Sequence, residues 1–336
     1  MECCIAVDGM GGDRTPSAPA LGAATAAAEL GIRVLLVGDT HQLEQAYEAA
    51  GIRRPGGVEL VEASEVIQPD EQPVVAFRRK RDSSLAVGLR LVKEGKAEAL
   101  VSAGSTGALL VGGALELGRL PGIDRPALCA VMPTVDGKGV VLLDVGASTD
   151  LRPHQLVQFA VMGSVYAGAV LGRKDPVVGL LNIGSEPTKG NELARNTYPR
   201  LQASGLNFAG NVEARDIFSG NVDVVVCDGF VGNVVLKNTE GVAEAVFTMM
   251  KAALSSSIRA RLGALLVRPA LRSIKAKLDY AEYGGVPLLG LASPCIKCHG
   301  SSNARALANG IAYAVKFVRT GAITAMKGAL EALVES

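Results

Sequence analysis

Five glycine-rich polar segments interrupt the apolar runs of the sequence, and they contain the residues best suited to binding a phosphate-like anion. They span residues 8–13, 102–107, 182–191, 228–233 and 284–303. Glycine allows backbone N–H groups to approach a ligand, and the positive end of a following helix favours negative charge at the same place. The pattern therefore predicts that backbone amides, hydroxyl groups and a few cations bind a compact oxyanion.

Candidate site residues come from all five segments. In the first two segments the substrate-binding candidates are Asp8, Gly11, Gly12, Asp13, Ser102, Gly104, Ser105, Thr106 and Gly107. In the later segments they are Asn182, Glu186, Asn191, Asp228, Gly229, Gly232 and Ser301. The catalytic candidates are Lys189, Asn233, Lys237 and His299. The first segment has the spacing of neither a Walker loop nor the dinucleotide fingerprint, and tight turns or ordinary Ser/Thr helix caps are the alternative interpretation.

Lys189 carries the strongest electrostatic argument among these candidates. It stands at the start of a helix predicted over residues 189–203. A lysine at that position opposes the helix dipole unless an anion is bound nearby. The sequence therefore favours a functional role for this ammonium group.

Cys295, Cys298 and His299 form a CxxCH pattern, which is also the signature of covalent haem attachment. Haem attachment requires an exported context, and two cysteines with one histidine are too few ligands for a closed zinc site. The six cysteines and the absence of an apolar signal segment indicate reduced thiols and a cytoplasmic location. We therefore expect no metal and no cofactor, with His299 as the useful member of the pattern.

Composition excludes several classes of protein. The chain has 336 residues, of which 49% are hydrophobic and 20% charged, and its formal net charge is +1. These values indicate a folded globular protein with no general attraction for nucleic acid. No apolar run approaches the length of about 18 residues that suggests a membrane-spanning helix.

Short Val/Ile/Leu/Ala runs alternate with longer Ala-rich stretches of helical period, which is typical of a doubly wound α/β fold with buried parallel strands. We predict strands at 4–8, 33–38, 58–61, 99–102, 127–132, 139–144, 176–182, 207–210 and 222–227. We predict helices at 16–30, 40–50, 74–94, 106–117, 153–171, 189–203, 232–254 and 301–319. Residues 133–138 form a hairpin-like connection, so the sheet should be mixed. No linker or repeat divides the chain, so we predict one domain over 1–336.

The segment 251–278 is the exception to this pattern, because it has seven basic residues, no acidic residue and a leucine-rich face. Pro269 should divide it into two short helices, giving a protruding basic amphipathic hairpin over 251–282. Such a surface suits an anionic membrane interface. A partner protein, a second subunit or the domain itself are the alternatives for this face.

In their order along the chain, these motifs closely resemble the bacterial PlsX family of phosphate acyltransferases. The resemblance covers essentially the whole chain and includes residues 8–13, 102–107, 117–126, 144–147, 182–191 and 228–237. It implies a three-layer α/β/α fold related to the isocitrate and isopropylmalate dehydrogenases, and a homodimer. It also implies transfer of a fatty acyl group from acyl carrier protein to inorganic phosphate, in support of glycerophospholipid synthesis by a membrane glycerol-3-phosphate acyltransferase.

For this reaction we expect direct attack by phosphate and no covalent enzyme intermediate, since no nucleophile elbow is present. Gly11, Gly12, Ser105, Thr106 and Lys189 are the candidates for holding phosphate. The amide of Asn233 or a glycine-loop N–H would stabilise the thioester oxygen, and His299 or Lys237 would assist the leaving thiolate.

Three other functions are compatible with parts of the pattern. A metal-dependent dehydrogenase would share the fold class, a phosphotransacetylase would use a coenzyme A thioester, and a membrane scaffold would use only the segment 251–278. The expected docking surface for acyl carrier protein is a basic patch, for which this same segment is a candidate.

Overall fold

The computed structural model describes residues 3–278 and 284–335. Within these residues one eleven-stranded sheet has the strand order β3-β2-β1-β4-β11-β10-β5-β6-β9-β7-β8. The strands are β1 (Cys4–Asp8), β2 (Arg33–Gly38), β3 (Val58–Glu62), β4 (Ala99–Ser102), β5 (Ala127–Met132), β6 (Val140–Leu143), β7 (Val178–Asn182), β8 (Phe208–Glu213), β9 (Val224–Val226), β10 (Val286–Leu289) and β11 (Cys295–Lys297).

Helices cover both faces of this sheet. They are α1 (Ser17–Leu30), α2 (Thr40–Ala49), α3 (Pro73–Arg79), α4 (Ser84–Lys93), α5 (Thr106–Gly112), α6 (Pro153–Leu171), α7 (Glu192–Gln202), α8 (Gly229–Ser255), α9 (Ile258–Leu278), α10 (Ala304–Arg319) and α11 (Ala322–Glu335). Central strands such as Val140–Leu143 are buried along their whole length. Apolar residues on alternate sides of these strands build two separate cores, one on each face. The predicted α/β class and the three-layer arrangement are confirmed.

The sheet consists of two halves whose strands run in opposite directions. Strands β1 to β4 and β11 are mutually parallel, and so are β6 to β9. The reversal comes from three antiparallel pairs, β11 with β10, β10 with β5, and β5 with β6. The predicted hairpin connection over 133–138 is confirmed, since it joins β5 to β6. Segments that follow β4 and β9 therefore leave the sheet at opposite edges.

Several predicted elements differ from the structure. The helix predicted over 74–94 is two helices, because Ser83 caps α4 by accepting a hydrogen bond from the Ala86 N–H at 3.3 Å. The helix predicted over 106–117 changes after Gly112 into a π-helical turn, Gly113–Leu117. Strands β10 and β11 and helix α11 were not predicted. The two strands are only four and three residues long, and Gly and Pro surround them, so no periodicity marks them.

The predicted division of the basic segment at Pro269 is wrong. Helix α9 continues through Pro269, and the chain instead breaks between α8 and α9, where Ser257 accepts a hydrogen bond from the Ala260 N–H at 3.1 Å. Leu265, whose carbonyl loses its donor to the proline, lies on an exposed part of the helix where water can replace that donor. Residues 279–282 of the predicted hairpin lie outside the described residues. Across the described ranges, no helix combines the length and the apolar character needed to cross a membrane.

Candidate active-site cleft

A cleft of about 290 Å³ lies on one face of the sheet, where the two halves meet. Its floor is formed by β5 and β10, and its walls are helix α8 and the segments that follow β4 and β11. The polar residues that line it are Thr106, Asn233, Lys237, Glu240, Lys297, His299 and Ser302. Four of these were predicted site residues, and they come from three separate parts of the chain.

The buried carboxylate of Asp8 joins the first two glycine-rich segments. Its Oδ1 accepts hydrogen bonds from the Ser84 hydroxyl at 2.6 Å and from the Met10 N–H at 3.3 Å. Its Oδ2 accepts from the Ser102 hydroxyl at 2.7 Å, and the Ser102 oxygen accepts from the Gly104 N–H at 3.0 Å. Because protein groups already engage both oxygens, Asp8 and Ser102 position the loops around the cleft.

Close backbone approach explains two of the glycines in the first segment. A Cβ at Gly11 would lie 2.4 Å from the Asp8 carboxylate and 2.8 Å from the Gly104 nitrogen. Gly12 has a φ of +108° and lies against Ala103 and the Gly300 carbonyl. Any side chain at either position would separate the two loops.

The segment after β11 is held against both of these loops by the backbone. The Asp13 N–H donates to the Gly300 carbonyl at 2.8 Å, and the Cys298 N–H donates to the Ser102 carbonyl at 2.8 Å. The segments 8–13, 102–107 and 298–303 thus form one interlocked group at the edge where β1, β4 and β11 end.

Lys297 is a site residue that sequence reasoning missed. It is the last residue of β11, lines the cleft, and donates from Nζ to the carbonyls of Ala103 at 3.1 Å and Cys298 at 2.5 Å. Burial lowers the pKa of this ammonium group, an effect opposed by the carboxylates of Asp8 and Asp13. In the sequence, Lys297 is the only charged residue in a short apolar stretch, which could have marked it as a candidate. The CxxCH pattern around it directed attention to the cysteines and His299 instead.

His299 lines the cleft, and Ser301 fixes the orientation of its ring. The Ser301 hydroxyl lies 2.8 Å from Nδ1, and the Ser301 backbone N–H donates to the same nitrogen at 3.2 Å. A backbone N–H can only donate, so the proton of the neutral ring is on Nε2. Burial lowers the pKa of His299, and the nearby cations of Lys237 and Lys297 lower it further. The ring is therefore neutral near pH 7.

Helix α8 forms the opposite wall with Asn233 and Lys237. The side chain of Asn233 lies against Gly146, and Lys237 forms an ion pair with Glu240 at 2.8 Å. Asp228 caps the helix by accepting the Val231 N–H at 3.0 Å. The structure therefore brings Asn233, Lys237 and His299 to one cleft, where their catalytic roles stay predictions, and gives Asp228 a capping role.

Asp144 holds the start of this wall in place. It is fully buried and accepts backbone N–H groups of Leu128, Gly146, Ala147 and Ser148 at 2.7–3.1 Å. Burial raises its pKa to about 6, although these donors act in the opposite direction. A Cβ at Gly232 would overlap the Asp144 carbonyl oxygen, and one at Gly229 would lie 2.6 Å from its carboxylate. These two glycines bring the helix directly onto the Asp144 loop.

The remaining second-segment residues start and pack helix α5. Ser105 is its N-cap and accepts the Ala108 N–H at 3.4 Å, while Thr106 is its first residue and lines the cleft. A Cβ at Gly107 would lie 2.6 Å from the Pro73 ring, so this glycine packs α5 against α3. The alternative of an ordinary helix cap therefore applies to Ser105, whereas Thr106 belongs to the cleft.

The third segment lies elsewhere. Among the described residues that line the cleft, none belongs to 182–191, and β7 lies three strands away from β5, beyond β6 and β9. Asn182 donates to the Lys189 carbonyl at 3.1 Å, the Glu186 carbonyl accepts from Asn211, and Lys189 is exposed. Helix α7 starts at Glu192 with Asn191 as its N-cap, so Lys189 precedes the helix. The predicted clash of Lys189 with a helix dipole is therefore wrong.

Cys295 and Cys298 are free and buried, and burial raises the pKa of both thiols. Cys298 directs its thiol to the Gly284 carbonyl at 3.2 Å. In residues 3–278 and 284–335, no group of three or more His, Cys, Asp or Glu side chains is arranged to hold a metal ion.

A profile of the fatty acid synthesis protein family matches residues 3–325. The chain belongs to this family. Relatives named phosphate acyltransferase include those of Brevibacillus brevis, 53% identical over 94% of this chain and 93% of the relative, and Heliobacterium modesticaldum, 51% identical over 98% of both chains. The predicted resemblance to the PlsX family of phosphate acyltransferases is therefore confirmed.

Solved structures similar to this member of the family share its fold at low sequence identity. A phosphotransacetylase from Streptococcus pyogenes has a TM-score of 0.60 at 17% identity and covers 100% of this chain and 95% of its own. A putative 4-hydroxythreonine-4-phosphate dehydrogenase from Salmonella typhimurium has a TM-score of 0.54 at 13% identity and covers 94% and 99%. The expected relation to a dehydrogenase fold is consistent with this second likeness.

Proposed function

We propose that this protein transfers a fatty acyl group from the thioester of acyl carrier protein to inorganic phosphate. The products are acyl phosphate and the free thiol of the carrier. The observation that carries the proposal is the cleft, where two lysines, a neutral histidine and an amide surround the end of three interlocked glycine-rich loops. Relatives named phosphate acyltransferase at 51–53% identity support the same reaction class.

Phosphate would bind at the Lys297 end of the cleft. The Lys297 ammonium group and the Thr106 hydroxyl both line that end, and backbone amides of 8–13 and 102–107 lie just behind it. Partial burial strengthens the attraction between an ammonium group and a phosphate oxygen relative to bulk water. The Asp13 carboxylate lies beside Gly300, and its negative charge would disfavour more highly charged anions at this end of the cleft.

The reaction would proceed by direct attack of a phosphate oxygen on the thioester carbonyl carbon. The C=O electron pair moves to oxygen, and the Asn233 amide donates a hydrogen bond to the oxyanion that forms. When the carbonyl re-forms, the C–S bond breaks and sulfur leaves with its electron pair. The Nε2–H of His299 would donate a hydrogen bond to that thiolate, and Lys237 would stabilise its charge. The proton that hydrogen phosphate loses on becoming acyl phosphate converts the thiolate to the free thiol. Binding both reactants in attack geometry supplies a large part of the rate enhancement, roughly 7–11 kcal/mol at best.

In this proposal the protein needs neither a covalent intermediate nor a metal or cofactor. Its residues would position the two substrates and stabilise the developing charges through hydrogen bonds and cationic side chains. Ser301 contributes indirectly, because it fixes the tautomer of His299.

The role of Lys189 in holding phosphate remains a prediction. Its segment occupies the same sheet edge as Asp144 and the start of α8, outside the cleft. If the predicted role holds, Lys189→Ala should remove most activity and weaken the dependence on phosphate while the protein stays folded. Near-normal turnover would remove Lys189 from the site.

The cellular setting follows from the product. Acyl phosphate is a reactive mixed anhydride, so we propose that a membrane glycerol-3-phosphate acyltransferase consumes it in glycerophospholipid synthesis. We propose that the protein is a cytoplasmic homodimer that makes peripheral contact with an anionic membrane. It would then release acyl phosphate next to the enzyme that consumes it.

The deciding experiment measures acyl phosphate directly. The purified protein is incubated with hexadecanoyl-acyl carrier protein and inorganic phosphate, and the product is trapped with hydroxylamine as the hydroxamate. We expect phosphate-dependent hydroxamate from the carrier-protein thioester, and much less from the coenzyme A thioester.

Each alternative function predicts a different experimental outcome. Preference for the coenzyme A thioester would indicate a phosphotransacetylase. Hydride transfer with NAD, Mg²⁺ and a 2-hydroxy acid would indicate a dehydrogenase, and absence of any turnover would leave the membrane scaffold.

A further inference from the structure

The central sheet contains a gap between strands β5 and β10. Strand β10 pairs with β5 only through Leu288 with Leu128 and Leu289 with Ala127. Strand β5 continues to Met132, and over that length its described strand pairing is with β6 on the other side. The two strands therefore separate toward Val131 and Gly285, at the same end of the sheet as Lys297.

A second cavity, of about 360 Å³, begins at this gap on the opposite face of the sheet. Val131 and Gly285 line both this cavity and the active-site cleft, so the two spaces adjoin through the sheet. A Cβ at Gly285 would lie 2.6 Å from the Ile296 side chain, so this glycine lets the chain pack closely against β11 beside the opening. The cavity runs between helices α6 and α10, whose residues Tyr166, Val170, Ala312 and Tyr313 form its walls.

The chemistry of these walls suits an unbranched hydrocarbon. Val170, Ala312 and Leu171 present only carbon atoms. The hydroxyl groups of Tyr166 and Tyr313 lie 2.5 Å apart and hydrogen bond to each other, which engages both oxygens within the wall. The Tyr313 ring also stacks on Phe317 with centroids 6.2 Å apart, which fixes that wall. Polar members are Asn309 and Lys316, and Lys316 is exposed.

We propose that the fatty acyl chain of the donor passes through the gap between β5 and β10 and occupies the cavity between α6 and α10. This inference rests on the proposed function. With the thioester carbonyl beside His299 and Lys297, a long acyl chain would extend beyond this cleft of about 290 Å³. The opening at Val131 and Gly285 leads it to apolar walls, where each methylene group removed from water favours binding. The cavity then sets the chain length that the enzyme accepts.

The test narrows the cavity and compares two donors. Ala312→Phe places a ring in the cavity away from the cleft, and Ala325→Phe puts the same residue on an exposed site of α11 as the matched control. Phosphate-dependent transfer is measured with hexadecanoyl- and butanoyl-acyl carrier protein. We expect Ala312→Phe to lower the ratio of kcat/KM for hexadecanoyl to that for butanoyl about 10-fold or more, and Ala325→Phe to leave it unchanged.

A direct measurement keeps the proposal falsifiable if Ala312→Phe does not fold. Hexadecanoyl-acyl carrier protein with a diazirine near the end of its chain is photolysed on the wild-type protein, and the labelled peptide is identified. Label on the segments of Tyr166 or Tyr313 supports the proposal, and label only on α8 or α9 overturns it. An unchanged donor ratio in folded Ala312→Phe also overturns it. Absence of transfer by the wild type to any acyl acceptor would instead refute the proposed function itself.

Discussion

Lys297 places the only charge of strand β11 at the end of that strand, where it lines the cleft. Its two carbonyl acceptors hold the ammonium group between the segments after β4 and β11. A partly buried lysine has a desolvation cost, which a bound anion would offset. At the residue scale this side chain is therefore the main candidate for the phosphate ligand.

We expect Lys297→Met to lower kcat/KM for phosphate about a hundredfold or more, because a partly buried positive charge is lost next to the attacking group. Steady-state kinetics with varied phosphate checks this, and circular dichroism confirms folding. Lys96→Met, on an exposed turn, is the matched control. A Lys297→Met enzyme with an unchanged KM for phosphate would contradict the assignment.

The lowered pKa of Lys297 also predicts a pH dependence. As pH rises through this pKa, the ammonium group loses its proton and phosphate binding should weaken, at a lower pH than an exposed lysine would require. Arginine remains protonated throughout, so in Lys297→Arg the alkaline fall of kcat/KM should move to higher pH. Identical alkaline limbs in wild type and Lys297→Arg would exclude Lys297 as the titrating group.

At the scale of elements, helix α8 is fixed by its glycines at one end and exposed along much of its length. Gly232 contacts the Asp144 carbonyl so closely that no side chain fits, whereas Gly241 on the same helix has open space around it. Glycine is therefore required at position 232, where the helix backbone contacts the Asp144 loop, but no packing contact requires it at position 241.

We expect Gly232→Ala to destabilise the protein by about 1–3 kcal/mol or more, because the methyl group must displace the Asp144 loop. Gly241→Ala should stabilise it by about 0.5–1 kcal/mol, because alanine loses less conformational entropy in a helix. Urea denaturation of both variants measures this difference. Equal stabilities would show that α8 shifts freely relative to Asp144.

The described part of helix α9 presents leucines and arginines to solvent together. Leu262, Leu265 and Leu266 are exposed, Leu266 by 84%, and Arg259, Arg261 and Arg268 lie on the same helix. This arrangement suits an anionic lipid surface, with apolar side chains at the acyl boundary and guanidinium groups at the headgroups.

We expect the triple variant Arg259→Glu, Arg261→Glu, Arg268→Glu to lose flotation with phosphatidylglycerol liposomes while keeping turnover of a water-soluble donor. The control is a second triple variant with the same change in net charge, at three exposed residues outside α9: Lys174→Glu, Arg200→Glu and Arg215→Glu. Equal loss in both triple variants would show that net charge alone causes binding.

At the scale of the whole molecule, one exposed apolar stripe remains on α8. It consists of Phe230, Val234, Val242, Val246 and Met249, spaced mostly three or four residues apart or in multiples of that spacing. A contiguous exposed stripe of this kind is typical of a subunit interface. It offers a contact surface for the homodimer that the family resemblance implies.

Light scattering should give a mass of twice the 34.6 kDa chain, and the double variant Val242→Glu, Met249→Glu should shift it toward the monomer because the charges would be buried at the interface. Val135→Glu, at an isolated residue that is 85% exposed, is the matched control. A monomeric wild type would refute this prediction.

The sequence alone determined the α/β class, the β5–β6 hairpin and most of the longer strands and helices, because buried strands and helices impose their periods on local sequence. It also proposed Asn233, Lys237 and His299 as candidate site residues, and the structure places all three in one cleft. Only the tertiary structure decided that the sheet reverses direction through β10 and β5, that Lys297 lines the cleft and that the segment of Lys189 does not. Those outcomes depend on pairing between strands far apart in the chain, such as β11 with β4, and on burial. Neither property leaves a periodic signal in the residues around it.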